Sequence, residues 1–309
     1  MRLKTSNDFS ANPWATAVQC KTQDEPDGCY PGGSACARKV TDGLFTKEDI
    51  SALKEIALKG YATRESQGGP TILDINTGYI RDSAGMENLF ARDLLTEAGA
   101  GAGAEKIFTE ADFDVYGKVI SRLRAEVMNT FGNSHLYFTA PTFITRLVGR
   151  ADWEPKEIHD QYWHWHVDRN NTAHYHYSGL LYLSEYKKDF KGGRIIFYNA
   201  DDSKVEQVVE PLPGRTIIFS SGHENPHKVE RVTSGERLVL AFWFTCDKAK
   251  EFEIFLDGKA HDKFAHKVGT SYLKQQGQQQ QRAEQQVQQQ QAKVKADREA
   301  AGDSPDPEL

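Results

Sequence analysis

His166-Val167-Asp168 sets an imidazole and a carboxylate two residues apart, and a second imidazole, His227, follows far downstream with Arg237 ten residues beyond it. Two imidazoles and one carboxylate form the facial ligand set of non-haem iron, which leaves coordination positions open for small molecules. On an extended segment a His-x-Asp pair projects both side chains to one side, because strand side chains alternate with a period of two. The second histidine must then arrive from a strand remote in sequence and adjacent in space. Arg237 is a permanent cation whose planar fork can grip a carboxylate through two parallel bonds. A metal beside a carboxylate anchor points to an oxygenase that consumes a keto acid, with His166, Asp168 and His227 as metal ligands.

Other histidines compete for these places. His164 shares a strand face with His166, and His174 and His176 are close by, but only His166 has an aspartate two residues on. His223 competes with His227. It lies in a turn between Gly222 and Glu224, whereas His227 immediately precedes a strand-like run and stands at the right remove from Arg237. Arg237 reads either as a strand-edge charge or as a functional cation. It opens the most apolar run of the chain and shares a face with Val239, Ala241 and Trp243, where a cation needs a partner. Tyr182, in Leu180-Leu181-Tyr182-Leu183, is either a core residue or a hydrogen-bond donor to the same carboxylate. Two other functions remain in view: a non-catalytic metal-binding jelly-roll interaction module, and a zinc hydrolase with a similar ligand set. Neither accounts for Arg237.

Short strands are expected to carry these residues, at 136–148, 161–168, 175–183, 194–198, 205–210, 214–219, 227–232 and 237–245. Strands at this spacing describe a sandwich or barrel, and the jelly roll is the version that hosts such metal sites. Thr216 to Phe219 and Leu238 to Phe244 are apolar on both faces, so one face should fill the barrel and the other should lie under helices. Two helices are expected upstream. One, near 46–59, starts at Thr46 with Asp49 three residues later and closes at Gly60. The other, near 110–131, carries a stripe of Phe113, Val119, Ile120, Leu123, Val127, Met128 and Phe131, and ends at Gly132. The fold class is α+β: a jelly-roll core with a supporting layer of N-terminal helices.

The expected divisions are an irregular cysteine-containing segment (1–38), a helical support region (39–135), the jelly roll (136–262) and a Gln-rich tail (273–309) without core-forming residues. Residues 65–83 read as a looser segment and Ala98 to Ala104 as a loop. The formal net charge of −6 is spread along the chain with no basic stripe, so nothing proposes nucleic acid as a partner. No apolar run approaches membrane-spanning length and no membrane segment is expected in this chain; it reads as soluble as given. Cys20, Cys29 and Cys36 cluster in a Gly/Pro-rich stretch; a disulfide-closed loop and free thiols fit that spacing equally. In a secretory setting Cys29 and Cys36 are the expected pair, and Asn170, in Asn170-Asn171-Thr172, is a glycosylation acceptor. Trp153, Trp163, Trp165 and Tyr175 are candidates to line an entrance, or to pack.

From about Cys29 to Phe255 the chain resembles the iron- and 2-oxoglutarate-dependent dioxygenases of the prolyl hydroxylase type. The segments that carry the resemblance are CARKVTDGLFTKED (36–49), GGPTILDINTG (68–78), PTFITR (141–146), QYWHWHVD (161–168), YSGLLYLSEYKKDFKGG (177–193), PLPGR (211–215) and SSGHENPHKVE (220–230). The region Glu224-Asn225-Pro226-His227, with an arginine at 237, is similar to collagen prolyl 3-hydroxylases, whereas prolyl 4-hydroxylases tend to carry lysine there. The resemblance implies a double-stranded β-helix, Fe(II) on His166, Asp168 and His227, and 2-oxoglutarate held by Arg237 and Tyr182. It also implies O2 as cosubstrate, ascorbate as reductant, a protein or peptide substrate, and residence in the endoplasmic reticulum or secretory pathway behind an N-terminal anchor.

Overall fold

Helices form where the sequence supplies both a cap and an apolar stripe. Helix α1 (Lys47–Tyr61) begins with a reciprocal capping box: Asp49 N–H donates to Thr46 Oγ1 and Thr46 N–H donates to the Asp49 carboxylate, each at 3.1 Å. Helix α2 (Glu110–Phe131) repeats the device with Thr109 and Asp112, and ends on Gly132 at φ 71°, a left-handed cap that glycine adopts without steric cost. Lys59 of α1 reaches both carboxylate oxygens of Asp112 at 2.8 Å, tying one helix to the other. Two details differ from expectation. Helix α1 runs past Gly60 to Tyr61, whose buried hydroxyl donates to the Ile144 carbonyl at 2.7 Å. In α2 Tyr116 joins the buried stripe, whereas Phe113 and Met128 lie at its margin.

The structure, a computed structural model, describes residues 14–18, 20, 29, 36–93, 106–139, 142–156, 160–201 and 203–252. The strands are β1 (Trp14–Val18), β2 (Cys36–Thr41), β3 (Gly69–Asp74), β4 (Tyr79–Asp82), β5 (Gly85–Asn88), β6 (Tyr137–Phe138), β7 (Phe143–Gly149), β8 (Tyr177–Tyr182), β9 (Phe190–Lys191), β10 (Ile195–Tyr198), β11 (Val205–Val209), β12 (Thr216–Ser220), β13 (His227–Val229) and β14 (Ser234–Thr245). Among the described residues, eleven make one sheet with the path β1-β2-β12-β8-β14-β7-β3-β4-β5, β6 and β9 pairing with β14 off that path; a second sheet runs β11-β10-β13. Among the described residues the pairings between these strands are antiparallel, as in a jelly roll.

The alternation of β14 divides the core in two. Leu238, Leu240, Phe242 and Phe244 point away from the barrel and pack with Leu181 and Ile218 against Leu53 and Ile56 of α1 and Val119, Leu123 and Val127 of α2. Val239 points inward, where Tyr182, Ile217, Phe219 and Val40 of the large sheet meet Ile195, Phe197 and Val209 of the small one. The two sheets therefore enclose an interior, and the helices shield the large sheet's outer face. This is the double-stranded β-helix with its supporting helical layer. Cutting one of the fully buried leucines of this strand to alanine removes a side chain whose loss costs about 2–5 kcal/mol in such positions.

Several expectations need correction. Residues 161–168 form turns instead of a strand; only His166 keeps an isolated antiparallel bridge, to His227, and Asp168 opens the single helical turn α3 (Asp168–Asn171). The segment before residue 39 is not wholly irregular, since β1 and half of β2 come from it, and residues 65–83 hold β3 and β4. β2 and β3 each take one partner from far along the chain, β12 and β7, and their near partners β1 and β4 are only five and four residues long, so little local pattern marks them. Ala98 to Ala104 and the tail from 273 lie outside the described residues.

The cysteine pairing also differs. Cys20 bonds Cys36 and Cys29 bonds Cys246; Cys29 and Cys36 are not joined to each other. Register explains the first bond: Val18 of β1 stands opposite Cys36 of β2, which brings Cys20, just past the strand, within a Cα separation of 5.3 Å. Cys29 instead reaches the residue after β14, with a Cα separation of 5.1 Å across 217 residues of chain. Peptide mapping without reduction should recover these two pairs and no Cys29–Cys36 fragment. Cys246→Ser should lower stability by about 2–4 kcal/mol in chemical denaturation, because the lost cross-link had constrained the unfolded chain.

Candidate active site

The backbone brings the two imidazoles together. His166 N–H donates to the His227 carbonyl and His227 N–H to the His166 carbonyl, both at 2.9 Å, so a narrow bridge joins an irregular loop to the start of β13. The rings stand 4.4 Å apart, and Asp168 Oδ1 lies 3.4 Å from His166 Nε2 and 3.9 Å from His227 Nε2. Metal–ligand bonds of about 2 Å set neighbouring ligand atoms about 3 Å apart, so a small contraction would close this set around an ion. His164 is exposed and His223 half-buried, and neither belongs to the cluster.

Hydrogen bonds fix how each group presents itself. His166 Nδ1 lies 2.8 Å from the His164 carbonyl and His227 Nδ1 lies 3.0 Å from the Asn225 carbonyl. A carbonyl only accepts, so each Nδ1 carries a proton, and in the neutral ring Nε2 keeps a lone pair directed at the cluster. The Trp243 indole N–H donates to Asp168 Oδ2 at 3.1 Å and leaves Oδ1 facing the imidazoles. Tyr175 stacks on Trp243 at 5.3 Å with an interplanar angle of 18°. Trp243 shares the inward face with Arg237, as the alternation required, but no role was read for it; an indole N–H on an inward face needs an acceptor, and that was the available signal.

Electrostatics favour a ligand set ready for a cation. Burial works against the Asp168 carboxylate, but the His227 charge, the hydrogen bond and charge of His166, and a bond from Ser178 outweigh it and hold the group well below the usual carboxylate range. Burial pulls His227 down to about 4 against the attraction of Asp168, so this imidazole is neutral at physiological pH. For His166, burial lowers the pKa, but the hydrogen bond and charge of Asp168 and the His164 carbonyl raise it above the ordinary histidine value.

Arg237 and Tyr182 occupy the same interior. Arg237 is only 2% exposed, its guanidinium carbon stands 5.2 Å from the centre of the Tyr182 ring, and Tyr182 is fully buried. Among the described residues, Arg237 Nε, Arg237 Nη2 and the Tyr182 hydroxyl have no hydrogen-bond partner. Buried donors without partners are costly, and a buried cation among them more so. A bound anion with acceptor oxygens, such as a carboxylate, would satisfy these donors. Gly193 helps make the space: at φ 69° it places no side chain where a Cβ would stand 2.8 Å from Arg237 Cδ.

The remaining aromatic candidates divide. Trp165 is half exposed, Trp163 half-buried, while Trp153 and Tyr175 are buried packing residues. A second ligand-like cluster, Cys29, His176 and Cys246, has its sulfurs joined as a disulfide, and His176 Nδ1 accepts the Cys246 N–H at 3.0 Å, so it offers no thiolate.

Comparison with known proteins agrees with this geometry. Residues 156–245 match the 2OG-Fe(II) oxygenase superfamily. The chain is 37% identical over 223 residues to 2-oxoglutarate and iron-dependent oxygenase domain-containing protein 3 of Mus musculus, covering 72% of this chain and 66% of that protein. A stretch of 71 residues is 49% identical to prolyl 3-hydroxylase 2 of Homo sapiens, covering 23% of this chain and 10% of that protein. Among solved structures, a prolyl hydroxylase from Trichoplax adhaerens in complex with a hypoxia inducible factor peptide fragment aligns with a TM-score of 0.45 and 15% identity, over 69% of this chain and 85% of that one. The chain belongs to the 2OG-Fe(II) oxygenase superfamily. Its domain is of the dioxygenase class, whose cofactor is Fe(II) and whose cosubstrates are 2-oxoglutarate and O2. It spans just under two thirds of the length of the 2-oxoglutarate and iron-dependent relatives it matches.

Proton competition at the imidazoles gives a test of the electrostatics. Divalent metal affinity should fall as pH drops through the raised pKa of His166, by one proton per metal, because the protonated imidazole cannot ligate. The dependence should steepen only near pH 4, where His227 begins to titrate. Calorimetric Co(II) titrations across that range read the slope; a two-proton dependence already at neutral pH would contradict the neutral His227.

Proposed function

We propose that this domain holds Fe(II) on His166, Asp168 and His227, binds the distal carboxylate of 2-oxoglutarate on Arg237 and Tyr182, and hydroxylates an unactivated C–H bond of a prolyl or similar side chain in a protein or peptide. The observation that carries the reading is the pair of buried, partnerless donor groups beside a three-ligand cluster. Prolyl 3-hydroxylase 2, similar over a short stretch, supports the substrate class by name. A non-catalytic module or a hydrolytic zinc centre would leave the buried Arg237 fork unexplained.

Bound Fe(II), with 2-oxoglutarate and O2, supplies the oxidising power for hydroxylation, the keto acid leaving as succinate and CO2. The protein's part is positional. Backbone carbonyls hold both imidazoles by Nδ1, and the Trp243 indole holds Asp168 by one oxygen. Arg237 selects a substrate with a carboxylate at the far end, and its planar fork fixes the orientation. Ascorbate is the reductant that would maintain the ferrous state. The two disulfides and the exposed Asn170 of the glycosylation sequence support assembly in an oxidising compartment.

Two variants separate metal from cosubstrate. Asp168→Asn should lose iron affinity and turnover together, since the amide lacks the charge that balances Fe(II). Arg237→Ala should keep iron affinity while raising the 2-oxoglutarate requirement by about two to four orders of magnitude, matching the roughly 3–5 kcal/mol cost of a buried charge left unpaired. Succinate formation against 2-oxoglutarate concentration measures the second effect, and an unchanged dependence would refute the cosubstrate assignment.

A further inference from the structure

Arg38 is among the largest fully buried side chains of the protein, and it sits on β2, far in sequence from the ligand cluster. Register places it opposite Phe219 of β12, so its side chain enters the barrel among Phe197 and Phe219, and its guanidinium lies 4.9 Å from the centre of the Phe197 ring. Both aromatic rings also border the His227 imidazole, at 5.6 and 5.0 Å. The guanidinium is fully employed: Nε donates to Asn225 Oδ1, Nη2 to the Glu224 carbonyl at 3.1 Å, and Nη1 to Glu206 Oε2 at 2.7 Å.

Asn225 is the residue whose own carbonyl accepts the His227 Nδ1 proton. Its side-chain amide is held on the other side by Ser220, donating to the carbonyl at 2.8 Å and to Oγ at 2.9 Å. Asn225 is thus clamped between Arg38 and Ser220, and its carbonyl aims the imidazole. Stability alone is a poor reason to bury a guanidinium here, since apolar replacements of buried ion pairs are often neutral or stabilising. A partner that orients a metal-ligating histidine has a stronger reason to be charged and rigid.

We propose that Arg38 is a positioning residue for the metal centre: by clamping Asn225 it fixes the Asn225 carbonyl and thereby the rotation of the His227 ring. This rests on His227 being a metal ligand. It makes the N-terminal strand β2, outside the residues that match the superfamily, part of the metal site.

The test is Co(II) binding to the full chain without 2-oxoglutarate, read both as affinity and as the visible d–d spectrum, with far-UV circular dichroism as the check on folding. Arg38→Met and Asn225→Ala should each weaken Co(II) binding by about 10–100-fold and alter the d–d band, and the double variant should be little worse than the weaker single, because both cut one linkage. Arg38→Lys should recover part of the loss. Glu206→Gln, which leaves the Arg38–Asn225 bond in place, should bind Co(II) like the parent protein. Should Arg38→Met not fold, Asn225→Ala and Arg38→Lys decide, since Asn225→Ala keeps the carbonyl and removes only its clamp. Parent-like affinity and spectrum in folded Asn225→Ala would overturn the proposal, as would a loss in Glu206→Gln equal to that in Arg38→Lys. His227→Ala separates the two levels: if it binds Co(II) normally, the ligand assignment has failed; if it does not, only the clamp is in question.

Discussion

In the proposed metal site, three ligand atoms from two distant parts of the chain must converge while none of them is used up by another protein group. The mutual backbone bridge between His166 and His227 solves the first half of that problem, because two 2.9 Å bonds lock the loop to β13 whatever the side chains do. The second half is solved by occupying the other atom of each ligand. Both Nδ1 atoms are committed to carbonyls and Asp168 Oδ2 to an indole, so the atoms left over are the ones that face inward. The surrounding sheets, helices and disulfides can be understood as holding those commitments in place.

The long strand β14 is the principal beam. Its outward residues anchor it under the two helices, and its inward residues deliver Arg237, Val239 and Trp243 in sequence along the interior. One strand therefore positions both the carboxylate anchor and the support of the metal ligand, separated by the fixed two-residue repeat. The Cys29–Cys246 bond pins the far end of the same strand. Displacement of β14 would disturb Arg237, the proposed cosubstrate anchor, and Asp168 together, which couples the two halves of the proposed site mechanically.

Much of this was legible in the sequence, and the limits have physical causes. His166, Asp168, His227 and Arg237 could be picked out by residue type and spacing, because the chemistry demands those side chains whatever the backbone does. Helices α1 and α2 were legible because capping boxes and apolar periodicity are local. The segment 161–168 was misread as a strand: its aromatic, alternating composition looks extended, yet only His166 finds a backbone partner. Strands β2 and β3 are hard to read because one partner of each, β12 and β7, lies more than seventy residues away, and the near partners, β1 and β4, are too short to show a clear alternation. The cysteine pairs depend on which segments the fold brings together, and spacing alone left a closed loop and free thiols equally open. Arg38 and Trp243 were hidden for a related reason, since their value lies in which acceptor the fold brings to them.

The central claim is that the three-ligand cluster and the partnerless Arg237–Tyr182 pair form one site for a metal-bound keto acid. The most direct measurement is a crystal structure of the full chain with redox-inert Mn(II) and 2-oxoglutarate. The account predicts one Mn(II) on His166 Nε2, His227 Nε2 and Asp168 Oδ1, with the keto acid's distal carboxylate hydrogen-bonded to Arg237 and the Tyr182 hydroxyl. Mn(II) on other ligands, or a keto acid bound with Arg237 still unpaired, would contradict it.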